Sequence, residues 1–302
     1  CDLKTNGWEL TLAWRDRTSF GLNYGVSFNL SDARTYIRHY PGNATQSIWK
    51  YNNGREINEI WGFETVGIAK SQAEMDAHLE AVGGQTAIGS KWAEGDIMYA
   101  DLDGNPGITR GAETLDDHGD LKVIGNSTPR LFYGIDLNAS YKGFDIRAFF
   151  QGVGKRDFFA GTPIFWGVYG NQWWSAALGE HQDYYRSEDI GLPDRIIPAN
   201  TDAYYPRPIF DDTKNQQTQT RYLQDASYIR LKNLQVGYTI PQELSRKFFV
   251  QNLRLYVSVD NLWTHTKLSK LFDPETIGGG YNGYGNAYPL TRTWAFGLSL
   301  TL

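Results

Sequence analysis

Ser19–Ser31 reads SFGLNYGVSFNLS and alternates without a break. Phe20, Leu22, Tyr24, Val26, Phe28 and Leu30 fall on one side, and Gly21, Asn23, Gly25, Ser27 and Asn29 on the other. Successive side chains of a strand point to opposite faces, so the run predicts a β-strand with one apolar face. At about 3.3 Å per residue it reaches roughly 40 Å, whereas strands of soluble domains usually stop near 5–6 residues. A strand tilted across a bilayer needs roughly 9–11 residues, and a face of Gly, Asn and Ser suits a wet lumen. A long strand of a large sandwich carries the same pattern, so the neighbours must decide.

The same alternation recurs. GWELTLAW (Gly7–Trp14) precedes the run across a short polar turn and places Trp8, Leu10, Leu12 and Trp14 on one face. LFYGIDLNASY (Leu131–Tyr141) and FDIRAFFQGV (Phe144–Val153) flank Lys142-Gly143, a pair suited to a two-residue hairpin. Pairing Tyr141 with Phe144 keeps both apolar sets on one side, so the register is self-consistent. YIRLKNLQVGYTI (Tyr228–Ile240) stops at Pro241, NLRLYVSVDNLW (Asn252–Trp263) follows, and TWAFGLSLTL closes the chain. Strands are therefore expected near 7–14, 19–32, 131–141, 144–153, 228–240, 252–264 and 292–302, with long loops at 33–130, 154–227 and 265–291.

Short turns at one end and long loops at the other are the asymmetry of outer-membrane barrels, and a compact soluble domain rarely holds loops of that length. The expected fold is all-β: an antiparallel transmembrane β-barrel with long extracellular loops, in which Phe20, Leu22 and Val26 meet lipid. The strands so read are odd in number, while single-chain bacterial barrels are even, so residues 1–302 are expected to form the C-terminal part of a larger barrel domain.

Composition narrows the function. The 302 residues carry a net charge of −5 with both signs interspersed, which provides no footprint for nucleic acid. Aromatics are abundant, with 19 Tyr, 15 Phe and 10 Trp, which suits membrane girdles or sugar-stacking surfaces as well as a core. No stretch approaches 18 apolar residues, which excludes a transmembrane helix. Cys1 is the sole cysteine, so no intrachain disulfide or thiolate metal cluster is possible. Histidines 39, 78, 118, 181 and 265 show no ligand spacing, and neither a nucleophile elbow nor a phosphate loop is present. The sequence therefore does not read as an enzyme.

Several stretches together resemble one family. GDIMYADLDGNPGIT, VIGNSTPRLFYGIDLNASYKGFDIRAFFQGVGKRDFF, DASYIRLKNLQVGYTIP, NLRLYVSVDNLWTHTK, FDPE and YPLTRTWAFGLSLTL run in order from about Gly95 to the end. They are similar to the C-terminal part of SusC/RagA-type TonB-dependent transporters of Bacteroidetes. The resemblance implies a multi-pass, 22-stranded barrel in the bacterial outer membrane, with an N-terminal plug and a TonB-contacting segment outside the region matched here. It implies a SusD-like surface lipoprotein as partner and nutrient import, with oligosaccharide cargo and, in some members, peptides. Leu302 stands where such barrels more usually end in an aromatic residue.

Two loop features carry candidate chemistry. DLDGNPGIT (Asp101–Thr109) staggers Asp101, Asp103 and Asn105 as a calcium loop does, although Pro106 stands where such loops have Gly and Ala112 where they have Glu. Asp116 or Asp117 is a candidate late carboxylate. The loop 154–227 holds Trp166, Tyr169, Trp173, Trp174, Tyr184, Tyr185, Tyr204 and Tyr205, candidates for contact with sugar or with the partner lipoprotein. The competing role for these rings is to pack the loop. The rival reading of the whole chain is a glycan-binding β-sandwich, lipid-anchored through Cys1.

Overall fold

The computed structural model describes every residue except 169, 171, 172, 174, 279–286, 288 and 289. One seven-stranded antiparallel sheet dominates it, with its strands in sequence order. They are β1 (Asp2–Arg17), β2 (Asn23–His39), β3 (Arg130–Tyr141), β4 (Phe144–Lys155), β5 (Tyr228–Thr239), β6 (Asn252–Thr266) and β7 (Thr293–Thr301). β1 and β7 are the two edges and do not pair with each other, so the sheet is open. No helix among the described residues is long and apolar enough to cross a membrane.

β1 and β2 pair along their whole length, from Arg17 opposite Asn23 to Asp2 opposite His39. Both strands extend further into the long-loop side than the apolar alternation indicates. β2 begins at Asn23 rather than 19, because Ser19–Leu22 form the turn, closed by the Gly21 N–H bond to the Thr18 carbonyl. The β3–β4 hairpin pairs Tyr141 with Phe144, and Lys142 and Gly143 take φ of 47° and 88°. Positive φ at both central residues marks the turn whose twist matches a hairpin, and glycine takes it without a Cβ penalty.

The register puts the apolar sets on one side of the whole sheet. Leu12 faces Phe28, Phe28 faces Ile135, and Ile135 faces Phe150. Farther along, Ile146 faces Val236, Val236 faces Val257, and Val257 faces Phe296. β5 slips once against both neighbours, between Leu231 and Asn233. The bulge lets Leu231 stay level with Phe150 and Trp263 on the apolar side. Along the apolar row Leu12, Trp14, Ile146, Val236, Phe296 and Leu298 are exposed, and Phe28, Ile135, Phe150 and Val257 are half-buried among their strand neighbours. No second sheet layer covers the row among the described residues.

The opposite side is polar and braced by cross-strand ion pairs. Arg147 Nε donates to Asp136 at 2.9 Å, and Arg254 Nε donates to Asp145 at 2.9 Å. Arg254 reaches from β6 across β5 to β4, over Gly237. A Cβ on Gly237 would lie 2.5 Å from Arg254 Nη2 and 2.6 Å from Asp145 Oδ2.

The buried core lies in the loops. Ile48, Phe63, Tyr99 and Leu121 of the first long connection pack with Phe158, Phe165 and Tyr222 of the second and with Leu268 and Phe272 of the third. Short two-stranded ladders hold this body, pairing Glu59–Phe63 with Leu121–Asn126 and Thr65–Ile68 with Ile97–Tyr99. Helix α1 (Gln72–Val82) is capped by Ser71, whose side chain accepts from Glu74 N, and ends at Gly83 with φ of 73°.

Gly237→Val is expected to displace Arg254 from Asp145 and to destabilise the sheet by about 1–3 kcal/mol. Thermal unfolding of the full-length protein in detergent measures the loss.

Candidate functional site

The long loops gather over the polar side of the sheet, and charged residues clasp the two together. Arg230, almost fully buried on β5, donates to Asp273 Oδ2 at 2.8 Å and to Thr264 Oγ1 at 2.7 Å. Its other nitrogen sits 2.8 Å from Glu275 Oε1, and Lys232, the bulged residue, donates to Glu275 Oε2 at 2.8 Å. Asp273 and Glu275 belong to the FDPE stretch, and Phe272 beside them is buried in the loop core. That short motif therefore fastens the loop body to the wall, because Asp273 and Glu275 grip Arg230 and Lys232 while Phe272 is held in the loop core.

A second cluster fixes the first and second long connections to each other. Asp96 is fully buried and accepts from Arg207 Nε at 2.7 Å and from Asn215 Nδ2 at 2.9 Å. Lys214 Nζ lies 2.9 Å from Asp96 Oδ2 and donates to the carbonyls of Ser90 and Lys91 at 2.9 Å. Its ammonium stands 4.8 Å from the centre of the Trp92 ring. Burial alone raises the Asp96 pKa, but the hydrogen bonds from Arg207, Asn215 and Lys214 outweigh it and hold the carboxyl below its ordinary value.

The aromatic candidates divide by position. Trp166, Tyr185 and Tyr205 are buried in the loop core, and Tyr184 and Tyr204 are packed against it. Trp166 lies edge-on to Tyr222 at 4.6 Å, and Tyr204 edge-on to Tyr205 at 4.8 Å. Burial pushes the Tyr205 hydroxyl pKa well up, and those of Tyr185 and Tyr204 rise for the same reason. Trp173 stands out from the body at 85% exposure. Tyr169 and Trp174 lie outside the described residues.

A cavity of about 180 Å³ is lined by Trp166, Val168, Leu178, His181, Tyr184 and Tyr205, among others. His181 Nδ1 accepts from Leu178 N at 2.8 Å, which assigns its proton to Nε2, facing the Phe165 carbonyl at 3.1 Å. Among the described residues, the indole Nε1 of Trp166 and the Oε1 of Gln216, both from lining residues, are buried and have no hydrogen-bond partner.

In the Asp101–Thr109 turn, Asp101 Oδ1 accepts from Gly104 N and Asp103 Oδ1 from Asn105 N, both at 2.7 Å. Carboxylate oxygens of Asp101, Asp103 and Asp120 lie within 4.8 Å of one another. The acidic residue that the fold brings beside Asp101 and Asp103 is Asp120, which the spacing of the turn does not single out. Asp120 is buried and accepts from Leu102 N and Thr109 N, which brings it back onto the turn. Its place in the sequence carries no spacing signal, because the return depends on the fold of the intervening segment.

No family model matches the chain. Curated relatives do, across nearly all of it. TonB-dependent receptor P3 of Formosa agariphila is 28% identical over 99% of this chain, and TonB-dependent receptor P26 of the same organism is 25% identical over 99%. This chain is homologous to part of a TonB-dependent receptor. It spans 29% of the length of each of these relatives. Among solved structures, that of the RagAB peptide transporter superposes with a TM-score of 0.62 at 21% identity, covering 99% of this chain and 29% of that one. The RagAB peptide importer in its "closed-closed" state gives 0.57 at 20% identity. The open sheet and its loop body thus have the fold of one portion of such a receptor, and the homology is to a non-enzymatic family.

Asp96→Asn leaves Lys214 buried beside a neutral partner and is expected to cost about 3–5 kcal/mol. Since the folded-state pKa of Asp96 is depressed, its contribution is complete above the unfolded value near 3.8 and disappears as the pH falls through the lower folded value. A melting series of wild type and variant in acid measures both: the two curves should converge as the wild type loses that contribution.

Proposed function

We propose that this chain forms the C-terminal portion of the barrel of a TonB-dependent outer-membrane nutrient importer of the SusC/RagA type. The supporting observation is the single-layer sheet, exposed and apolar along one face and braced by ion pairs along the other, on a chain homologous throughout to TonB-dependent receptors. A sheet bare on its apolar side is unsuited to water, whereas lipid matches that face and an aqueous lumen the other. The complete barrel in this reading has 22 strands, spans the bacterial outer membrane and places the loop body at the extracellular mouth.

The loop body lies where incoming substrate would first meet the protein and where a SusD-like lipoprotein would close over it. Energy would reach the barrel from TonB through an N-terminal region and plug. The proposed cargo is an oligosaccharide: the exposed Trp173 presents a stacking surface, and Tyr184 has the Arg186 guanidinium 4.5 Å from its ring centre as a polar neighbour. A peptide is the second reading. The solved RagAB structures are described as those of a peptide transporter, and the Trp166 N–H and Gln216 oxygen, without partners among the described residues, are the donor and acceptor that an amide group complements.

Two measurements on the full-length receptor test this. Val236→Arg, on the exposed apolar row, is expected to destabilise the membrane-embedded protein by about 2–4 kcal/mol, while Gln235→Glu on the polar side changes little. Equal effects of the two would oppose a lipid-facing row. Titration with glycan fractions and with peptide pools, on wild type and Trp173→Ala, decides the cargo. Glycan binding that weakens about tenfold in the variant supports the first reading, and binding of peptides alone supports the second.

A further inference from the structure

The end of the sheet opposite the loop body is closed by three short connections, and their chemistry repeats. Residues 18–22 join β1 to β2 and expose Phe20, whose ring lies edge-on to Tyr141 at 5.9 Å. Lys142-Gly143 joins β3 to β4, with the Lys142 ammonium 5.1 Å from the centre of the Tyr141 ring and the exposed Phe144 beside it. Phe144 in turn packs at 4.5 Å, tilted by 41°, against Tyr238, which ends the outward row of β5. The third connection, residues 240–251, holds the short helix α2 (Gln242–Ser245) and then Arg246, Lys247, Phe248 and Phe249.

This third connection is unusual in what it leaves outside. Ser245 and Val250 are buried, whereas Leu244, Phe248 and Phe249 are exposed, the two phenylalanines at 77% and 90%. Phe249 also takes φ of 61°, a left-handed backbone that a bulky side chain avoids. The rest of the chain gives its ring almost no packing in return. Arg246 and Lys247 immediately precede the pair and are exposed with them.

We infer that this rim is an anchor for a phospholipid leaflet, in which Phe248 and Phe249 enter the boundary between headgroups and acyl chains while Arg246, Lys247 and Lys142 bind lipid phosphates. The inference rests on the barrel reading above. Its first support is continuity: the rim prolongs the outward apolar row through Tyr141, Phe144 and Tyr238 without a break. Its second is complementarity, since rings with adjacent cations suit a boundary that is apolar on one side and phosphate-rich on the other. The third is repetition. The pairing of ring and cation occurs at both the β3–β4 and the β5–β6 connections, as a surface encircling the rim requires, whereas a docked protein would need one local patch. An anionic phospholipid meets all three conditions.

The test uses the full-length receptor in nanodiscs containing phosphatidylglycerol. A nitroxide is placed at Phe249→Cys, Val236→Cys or Leu102→Cys, each in a background with Cys1→Ser and any other cysteine replaced. Accessibility to oxygen and to a water-soluble nickel chelate gives the depth of each label. Expected is a deep label at 236, an aqueous one at 102 and one at 249 that favours oxygen yet lies shallower than 236. A label at 249 as open to nickel as that at 102 overturns the anchor, and one shielded from both reagents overturns it in favour of a protein partner. Should the label at 236 also be aqueous, the barrel reading itself fails and takes the anchor with it. In native mass spectrometry, the double variant Arg246→Gln/Lys247→Gln should retain several-fold less phosphatidylglycerol than wild type, with phosphatidylcholine unchanged. Equal retention would overturn the assignment of phosphate binding to those cations.

Discussion

Everything in this molecule depends on strand side chains alternating with a period of two while only one side of the sheet is covered by protein. A soluble sandwich buries its apolar rows between two layers about 10 Å apart. Here the row running from Leu12 through Val236 to Phe296 has no facing layer among the described residues, and all of β1 is exposed. A one-residue slip would send that row to the polar side and the ion pairs to the apolar side. Asp136–Arg147 and Asp145–Arg254 oppose such a slip, because the first fixes the register of β3 against β4 and the second that of β4 against β6 across β5. The β5 bulge at Lys232 changes the parity once, and both neighbouring strands accommodate it.

The division of labour between wall and loops follows from that constraint. A wall that spends its apolar residues outward has few left to bury on its other face, so the buried core is made elsewhere. Three connections, each too irregular to be stable alone, share a single core around Tyr99, Phe165 and Tyr222. They are fixed to each other by Asp96 with Lys214 and Arg207, and to the wall by Arg230 and Lys232 with Asp273 and Glu275. Buried ion pairs are costly unless fully satisfied, and Asp96 meets that requirement with donors from Ala93, Arg207, Lys214 and Asn215. Loops held in this way can present a defined surface to substrate while the wall keeps to its membrane-facing chemistry.

How much of this was legible depended on whether the signal was local. The apolar alternation marks Tyr24–Leu30 and Phe144–Phe150 plainly, although it runs on through Phe20 and Leu22, which the fold puts in the turn, and Lys142-Gly143 announces its own turn. The ends of β1 and β2 were not legible, because Lys4 and Asn6 on one strand and Arg34 and Tyr36 on the other continue the ladder without an apolar row. The loop core was hidden for a different reason: a tyrosine that packs and one that binds a ligand look alike in sequence. Trp166, Tyr185 and Tyr205 went into the body while Trp173 stayed out, and nothing in their neighbours distinguishes them. Asp120 joins Asp101 and Asp103 only through the return of the chain. The clasp role of FDPE was likewise invisible, since its partners lie some forty residues earlier, on β5.

The central claim is the orientation of the sheet, apolar row to lipid and polar row to water, and β5 tests it most directly because of its bulge. Single cysteines from Tyr228 to Tyr238 in the full-length receptor, embedded in membranes, would be labelled with a water-soluble maleimide and, separately, with a lipid-borne photoreactive probe. The account predicts lipid labelling at 229, 231, 234, 236 and 238, water labelling at 233, 235 and 237, and a single change of parity at 232. Protection of the apolar set from both reagents, or labelling without any alternation, would contradict it.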